Sequence, residues 1–95
     1  MSKPKTERYD SEWDAISETP EEAANMRMRS ELMQKIAAII KENRWQQLEA
    51  AEHCRVTLPR INDLLRGRIS LFSIEALVNI TSALGYCVHI ELKAT

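Results

Sequence analysis

The chain has 95 residues, with 13 basic and 14 acidic side chains and a formal net charge of −1 at pH 7. This length predicts one domain with a small core, which dimerisation would help to stabilise. Residues 1–20 contain no apolar run and no stretch is long enough to span a membrane, so we expect neither a secretory signal nor a membrane helix. The two cysteines fit a reducing cytoplasm.

Charge is distributed unevenly along the chain. A near-neutral total argues mildly against nucleic-acid binding, because proteins that bind nucleic acids are usually basic. Residues 1–22 nevertheless hold seven acidic and three basic side chains, whereas residues 23–68 hold nine basic and five acidic ones. Residues 1–18 are therefore predicted to form an acidic arm, partly disordered or folded into a short helix. Its apolar anchors are Tyr9, Trp13 and Ile16.

A long helix is predicted from Thr19 to about Asn43. Thr19 suits the N-cap, Pro20 the first helical position, and Glu22 the third position of a capping box. The helix is amphipathic, because apolar residues recur at helical spacing. Its apolar stripe consists of Met28, Leu32, Met33, Ile36, Ile39 and Ile40.

Residues 46–68 predict two short helices joined by a tight turn. The first helix covers residues 47–53 and the turn covers residues 54–56. Thr57 offers an N-cap for the second helix, and Gly67 suits the left-handed position after it. Helix periodicity places Ile61, Leu64 and Leu65 on one face of the second helix. The opposite face is polar, as a helix in a DNA major groove requires. That face consists of Pro59, Asn62, Asp63 and Arg66, flanked by Leu58 and Arg60.

A further helix is predicted from Ser73, its N-cap, to Gly85. Residues 86–93 then alternate with period two, so that Val88, Ile90 and Leu92 point one way. An unpaired strand leaves backbone groups unsatisfied, and no second strand is predicted elsewhere. The simplest partner is the same strand of a second copy, paired about a two-fold axis. The alternative is a tail that folds onto its own helices or stays loose.

The pattern as a whole resembles the helix-turn-helix of Xre/Cro-type repressors, and most of all the short antitoxins of Hig-type toxin–antitoxin pairs and their stand-alone relatives. The resemblance covers roughly residues 11–92. It implies a mainly α, lambda-repressor-like bundle of four to five helices with one C-terminal β-strand that pairs across a dimer. The predicted parts are an arm (1–18), a DNA-binding domain (19–85) and a dimerisation strand (86–95). The matching residues are Gln47, Glu49-Ala50-Ala51-Glu52, Val56, Pro59-Arg60, Asp63-Leu64-Leu65-Arg66-Gly67, Leu71-Phe72-Ser73 and Ala83-Leu84-Gly85.

Base contacts are expected from the polar face of the second motif helix. Arg60 is predicted to donate to guanine O6 and N7, with a phosphate contact as the alternative. Asp63 could accept from cytosine N4, or instead form a salt bridge with Arg66 or Arg60. Leu58 stands where relatives usually carry glutamine, so it would contact a thymine methyl group. The predicted base-contacting residues are Leu58, Pro59, Arg60, Asn62 and Asp63.

Phosphate contacts are expected at the helix ends. The resemblance implies one for Gln47, whose alternative is plain solvent exposure, and Thr57 could act only as a cap. Arg55 stands where the turn usually has glycine, and a left-handed arginine there would be strained. Arg27, Arg29 and Arg44 are weaker candidates, and a solvated charged face is the alternative for the arginines. The predicted phosphate-contacting residues are Gln47, Arg55, Thr57, Arg66 and Arg68.

No residue pattern predicts catalysis, a cofactor or a metal. His53, Cys54, Cys87 and His89 lack zinc-ligand spacing, and Cys54 is expected to be buried. We expect a dimeric repressor of a palindromic operator in double-stranded DNA. The resemblance implies that its arm also neutralises a small basic toxin protein. The alternatives are a stand-alone or phage-type regulator without a toxin, and an adaptor that binds only protein.

Overall fold

A computed structural model describes residues 19–94. Within them the chain forms four α-helices and one short 3-10 turn. The elements are α1 (Pro20–Glu42), α2 (Gln47–Cys54), α3 (Leu58–Leu65), the 3-10 turn (Ile69–Leu71) and α4 (Ile74–Ala83). The mainly helical prediction is therefore confirmed, and no helix of the described residues is long and apolar enough to cross a membrane.

Helix starts follow the predicted caps. The Thr19 hydroxyl accepts a hydrogen bond from the Glu22 backbone N–H at 3.0 Å, and the Ser73 hydroxyl accepts one from the Ala76 N–H at 3.0 Å. Both bonds satisfy amides that a helix leaves without an internal partner. Thr57 holds the N-cap position of α3, but its side chain makes no capping hydrogen bond. Its hydroxyl is therefore not engaged by the start of the helix.

Two of the tight joints use arginine in the left-handed region. Arg44 has a φ of 57° and Arg55 a φ of 59°. A residue with a Cβ atom loses roughly 1–2 kcal/mol in this conformation, whereas glycine does not. Arg55 therefore adopts the left-handed conformation in which strain is expected for an arginine. Gly67, with a φ of 72°, ends α3 as predicted.

The core is built from all four helices and from Phe72, which follows the 3-10 turn. Helix α1 packs against α3 and α4, and α2 packs against the same two helices. Thr81 is buried and satisfies its hydroxyl by donating to the Leu77 carbonyl oxygen at 2.9 Å. The buried apolar residues are Met33, Ile36, Ile40, Ala50, Ala51, Cys54, Ile61, Leu64, Phe72, Leu77 and Ile80.

Three sequence expectations need correction. Helical spacing predicts that Met28 and Leu65 lie on buried faces, but they are 46% and 38% exposed. Both lie at the edge of an apolar stripe, where periodicity alone does not decide burial. Residues 86–94 form no strand within the described part of the chain, so the predicted C-terminal strand is not supported. A β-strand needs a neighbouring backbone, and the other described segments are helices and turns.

Candidate nucleic-acid interface

Helix α3 presents one face to the core and the other to solvent. Ile61 and Leu64 are 0% and 2% exposed and hold the helix against the domain. Pro59 and Arg66 are exposed, and Asn62 and Asp63 are half-buried beside them. Leu58, the residue predicted to meet a thymine methyl group, is 43% exposed. The structure therefore brings four of the five predicted base-contacting residues to the accessible side of α3.

Arg60, the fifth of these residues, turns back toward its own chain. Its Nη1 donates to the Leu71 carbonyl oxygen at 2.8 Å. Its guanidinium carbon also lies 4.0 Å from the centre of the Phe72 ring. At helical spacing Arg60 lies on the flank of the polar face, from which a long side chain can reach either way. Its base contact stays a prediction, but its Nη1 already donates to the Leu71 carbonyl oxygen.

Asp63 pairs with a different arginine from the two expected. Its Oδ1 lies 3.8 Å from Nε of Arg68, which follows the end of α3. The two side chains are 25% and 50% exposed, so the pair is screened by water and contributes little stability. Asp63 can therefore release Arg68 to an anionic partner at low cost.

The predicted phosphate contacts are exposed. Gln47 begins α2 and Thr57 precedes α3, where free backbone amides favour an anion. Arg55 lies between these two helices, and Arg66 and Arg68 lie at the far end of α3. Positive side chains thus flank both ends of the accessible α3 face.

Arg29 of α1, a weaker candidate for a phosphate contact in the sequence, instead binds backbone groups of its own chain. Its Nη1 donates to the carbonyl oxygens of Ile69 at 3.1 Å and Phe72 at 3.3 Å. Its Nε is buried and has no hydrogen-bond partner within the described residues. The apolar periodicity of α1 gave no signal for this role, because the acceptors belong to a turn with no repeating pattern.

The cysteine and histidine residues do not gather into a metal site within residues 19–94. Cys54 is buried as predicted, and burial raises the pKa of its thiol to about 11. Cys87 is exposed. His53 stacks on Trp45 with ring centres 3.9 Å apart, which closes the joint between α1 and α2.

The C-terminal segment runs beside α1. Residues 86–89 line one side of a groove whose other side includes Met28, Leu32 and Ile39. Val88 is half-buried, whereas Ile90 is 68% and Leu92 92% exposed. Of the three predicted dimer contacts, two therefore have little cover from the described residues of their own chain. The predicted arm contacts, Tyr9, Trp13 and Ile16, lie outside the described residues.

Comparison with known proteins places this geometry in a family. A family model described as a helix-turn-helix domain matches residues 15–93. A solved structure provisionally described as an XRE-family transcriptional regulator shares the fold with a TM-score of 0.71 and 25% sequence identity. The alignment covers 77% of this chain and 82% of that one. No curated protein sequence matches. Because the family model spans most of the sequence, the chain belongs to the helix-turn-helix domain family.

Proposed function

We propose that this protein is a sequence-specific, double-stranded DNA-binding transcriptional regulator that acts as a repressor. One observation carries the proposal. Helix α3 is fixed by Ile61 and Leu64, while Pro59, Asn62 and Arg66 remain accessible on its other face. A helix held in this way can enter a major groove without losing its own packing. The likeness to a solved XRE-family regulator supports the same function.

The proposed contacts divide into two classes. Leu58, Pro59, Asn62 and Asp63 supply apolar and polar contacts to base edges. Arg60, the fifth predicted base-contacting residue, differs from them because its Nη1 donates to the Leu71 carbonyl oxygen. The exposed phosphate-contacting group surrounds them and sets affinity and orientation. That group consists of Gln47, Arg55, Thr57, Arg66 and Arg68. The proposed activity is binding alone, and it requires no cofactor.

The regulator is proposed to bind a palindromic operator as a homodimer. Residues 86–95 would form the dimerisation strand, joined to the DNA-binding domain of residues 19–85. Ile90 and Leu92 support this arrangement, because they are large apolar side chains that residues 19–94 leave mostly exposed. Two copies related by a two-fold axis would place two α3 helices on one face of the duplex.

The experiment is selection of binding sites from random double-stranded DNA, followed by footprinting of the selected site. We expect an inverted repeat whose half-sites lie roughly 34–36 Å apart, about one helical turn. Affinity should fall steeply with salt, and the Arg66→Ala/Arg68→Ala double variant should reduce the salt slope by about 2. Lys35→Ala is the control for loss of a positive charge. Lys35 lines the groove beside residues 86–89, which contains none of the proposed DNA-contacting residues. Absence of any sequence preference would contradict the proposal.

Within this function, we propose that the protein is the antitoxin of a type II toxin–antitoxin pair and represses its own operon. The acidic composition of residues 1–18 supports this, because an acidic arm with three apolar anchors suits a small basic toxin protein. The alternative is a stand-alone or phage-type regulator without a toxin. Co-purification from the native host identifies the partner protein, if one exists, and the bound DNA. Deletion of residues 1–18 should abolish toxin neutralisation and leave operator binding intact.

A further inference from the structure

The turn that follows α3 is held by arginine side chains from two other parts of the fold. Arg29 of α1 donates to the carbonyl oxygens of Ile69 and Phe72, at 3.1 and 3.3 Å. Arg60 of α3 donates to the Leu71 carbonyl oxygen at 2.8 Å. Hydrogen bonds from a charged donor are about twice as strong as neutral ones. Three of the four carbonyl groups of residues 69–72 are thus fixed by two guanidinium groups.

Arg60 makes two contacts that need the shape of a guanidinium. Its guanidinium carbon lies over the Phe72 ring, 4.0 Å from the ring centre, while Nη1 donates to the Leu71 carbonyl oxygen. Phe72 is 1% exposed and belongs to the core. A lysine ammonium is a compact point charge, so it cannot place an extended guanidinium over the ring and donate to the Leu71 oxygen at the same time. Arg60 therefore connects the turn to the hydrophobic core.

Backbone hydrogen bonds link this turn to Arg68, the proposed phosphate-contacting residue that precedes it. The Leu71 N–H donates to the Arg68 carbonyl oxygen at 3.1 Å, and the Arg68 backbone N–H donates to the Asp63 backbone carbonyl oxygen at 3.1 Å. Leu71 is therefore bonded to Arg68 through its N–H and to Arg60 through its carbonyl oxygen. Loss of the Arg60 contact would free Leu71, whose N–H holds the Arg68 carbonyl oxygen.

We propose that Arg29 and Arg60 are positioning residues, which clamp residues 68–72 so that Arg68 is set in place before DNA arrives. Arg60 then contributes to DNA binding through Arg68, and not through a base edge. To reach a base, Arg60 would have to break its hydrogen bond to Leu71 and leave the Phe72 ring. The DNA part of this proposal rests on the proposed function, whereas the clamp itself does not.

The clamp is tested on the free, full-length protein by amide hydrogen exchange measured with NMR. In Arg60→Ala, the Leu71 and Phe72 amides should exchange at least about 10-fold faster, because local opening is no longer opposed, while the amides of α2 keep their rates. Arg60→Lys, which keeps the charge, should show the same local effect to a smaller degree. Arg66→Ala is the matched control, since Arg66 has a solvent-exposed side chain in the same region.

Unchanged Leu71 and Phe72 exchange in both Arg60 variants would overturn the clamp. If Arg60→Ala fails to fold, Arg60→Lys decides alone, because its charge and length preserve more of the packing. Arg29→Lys gives a second test from α1, with the Phe72 amide as the readout. Exchange that rises across the whole domain and not at the turn would also count against the proposal.

The action through Arg68 is tested by a double-mutant cycle on the selected DNA site. Arg60→Ala should weaken binding about 10-fold on the cognate site and by the same factor on each single-base-pair variant. Adding Arg68→Ala should then weaken binding by less than about 2-fold, because the two residues act in series. Loss of preference at one base pair, or losses that multiply independently, would overturn this step. If the wild type binds no DNA, the proposed function fails and the exchange experiment still judges the clamp.

Discussion

Two segments of this chain leave a helix through a left-handed glycine and then differ. After α3 and Gly67, residues 68–72 are fixed by hydrogen bonds from Arg29 and Arg60. After α4 and Gly85, residues 86–94 leave their large apolar side chains mostly exposed. In the first segment, side chains of the same chain satisfy the backbone carbonyl groups. The second segment exposes large apolar side chains, as a segment that binds another surface does.

The physical difference lies in where each backbone finds its partners. Every buried N–H and C=O group needs a partner, and extended segments find theirs in a neighbouring strand. The turn after α3 is short enough for two long side chains to serve instead. In the C-terminal segment, the Tyr86 N–H donates to the Thr81 oxygen at 3.1 Å, and an extended chain beyond it would need a parallel or antiparallel neighbour.

The largest effect is expected from Phe72→Ala. Phe72 is 1% exposed and carries the Arg60 guanidinium on its ring, so truncation removes core packing and the support of the turn together. Large-to-small changes of a buried phenylalanine cost about 3–5 kcal/mol of folding free energy. Chemical denaturation measures the loss. Leu71→Ala, at a 46% exposed neighbour, should cost less than about 1 kcal/mol. Equal losses of folding free energy at both positions would show that Phe72 stabilises the domain no more than an exposed residue does.

Local signals in the sequence predicted most of the helical framework. Thr19 and Ser73 begin helices with the expected side-chain hydrogen bonds, and Gly67 ends α3 in the left-handed region. Ile61 and Leu64 lie on the buried face that their spacing predicts. These features are encoded within three or four residues of each other, so they need no knowledge of the rest of the chain.

The contacts of Arg29 and Arg60 could not be predicted in this way. Arg29 lies 40 residues before Ile69 in sequence, and the carbonyl groups it meets belong to a 3-10 turn without periodicity. Helical spacing predicts that Arg60 lies on the flank of the polar face, but it does not say which way a long side chain folds. The period-two pattern of residues 86–93 had a similar limit, because it predicts an extended shape and not a neighbour.

A second test concerns the exposed C-terminal segment. Ile90→Ser/Leu92→Ser should convert the proposed dimer to monomers and weaken binding to the palindromic site by at least about 100-fold, because linked half-sites gain that much from effective concentration. Sedimentation and DNA titration measure the two effects. Glu91→Ser, between the two positions, is the matched control. A dimer that survives the double change would show that residues 86–95 do not join the copies.

A smaller effect is expected from Arg55→Gly at the turn between α2 and α3. Its φ of 59° costs an arginine about 1 kcal/mol relative to glycine, so the variant should be more stable by roughly that amount. If Arg55 contacts phosphate, the same variant should bind DNA more weakly. Arg44→Gly is the matched control, since Arg44 has a φ of 57°. It should gain similar stability with a smaller loss of binding; equal losses would place Arg55 outside the interface.

The smallest effect is expected in the pH dependence of stability, where buried Cys54 of the helical core differs from exposed Cys87 of the C-terminal segment. Burial raises the pKa of the Cys54 thiol from 9.0 to about 11, so the unfolded chain loses this proton at lower pH than the folded one. The folded state therefore binds more protons between these values, and stability must fall as pH rises through about 9. From pH 8 to roughly pH 9.5 the fall should be under about 1 kcal/mol. Chemical denaturation should show it in the wild type and in Cys87→Ala, whose thiol is exposed, but not in Cys54→Ala. A loss of stability that persists in Cys54→Ala would come from other titrating groups, and the Cys54 thiol would then not be shielded from water by the helical core.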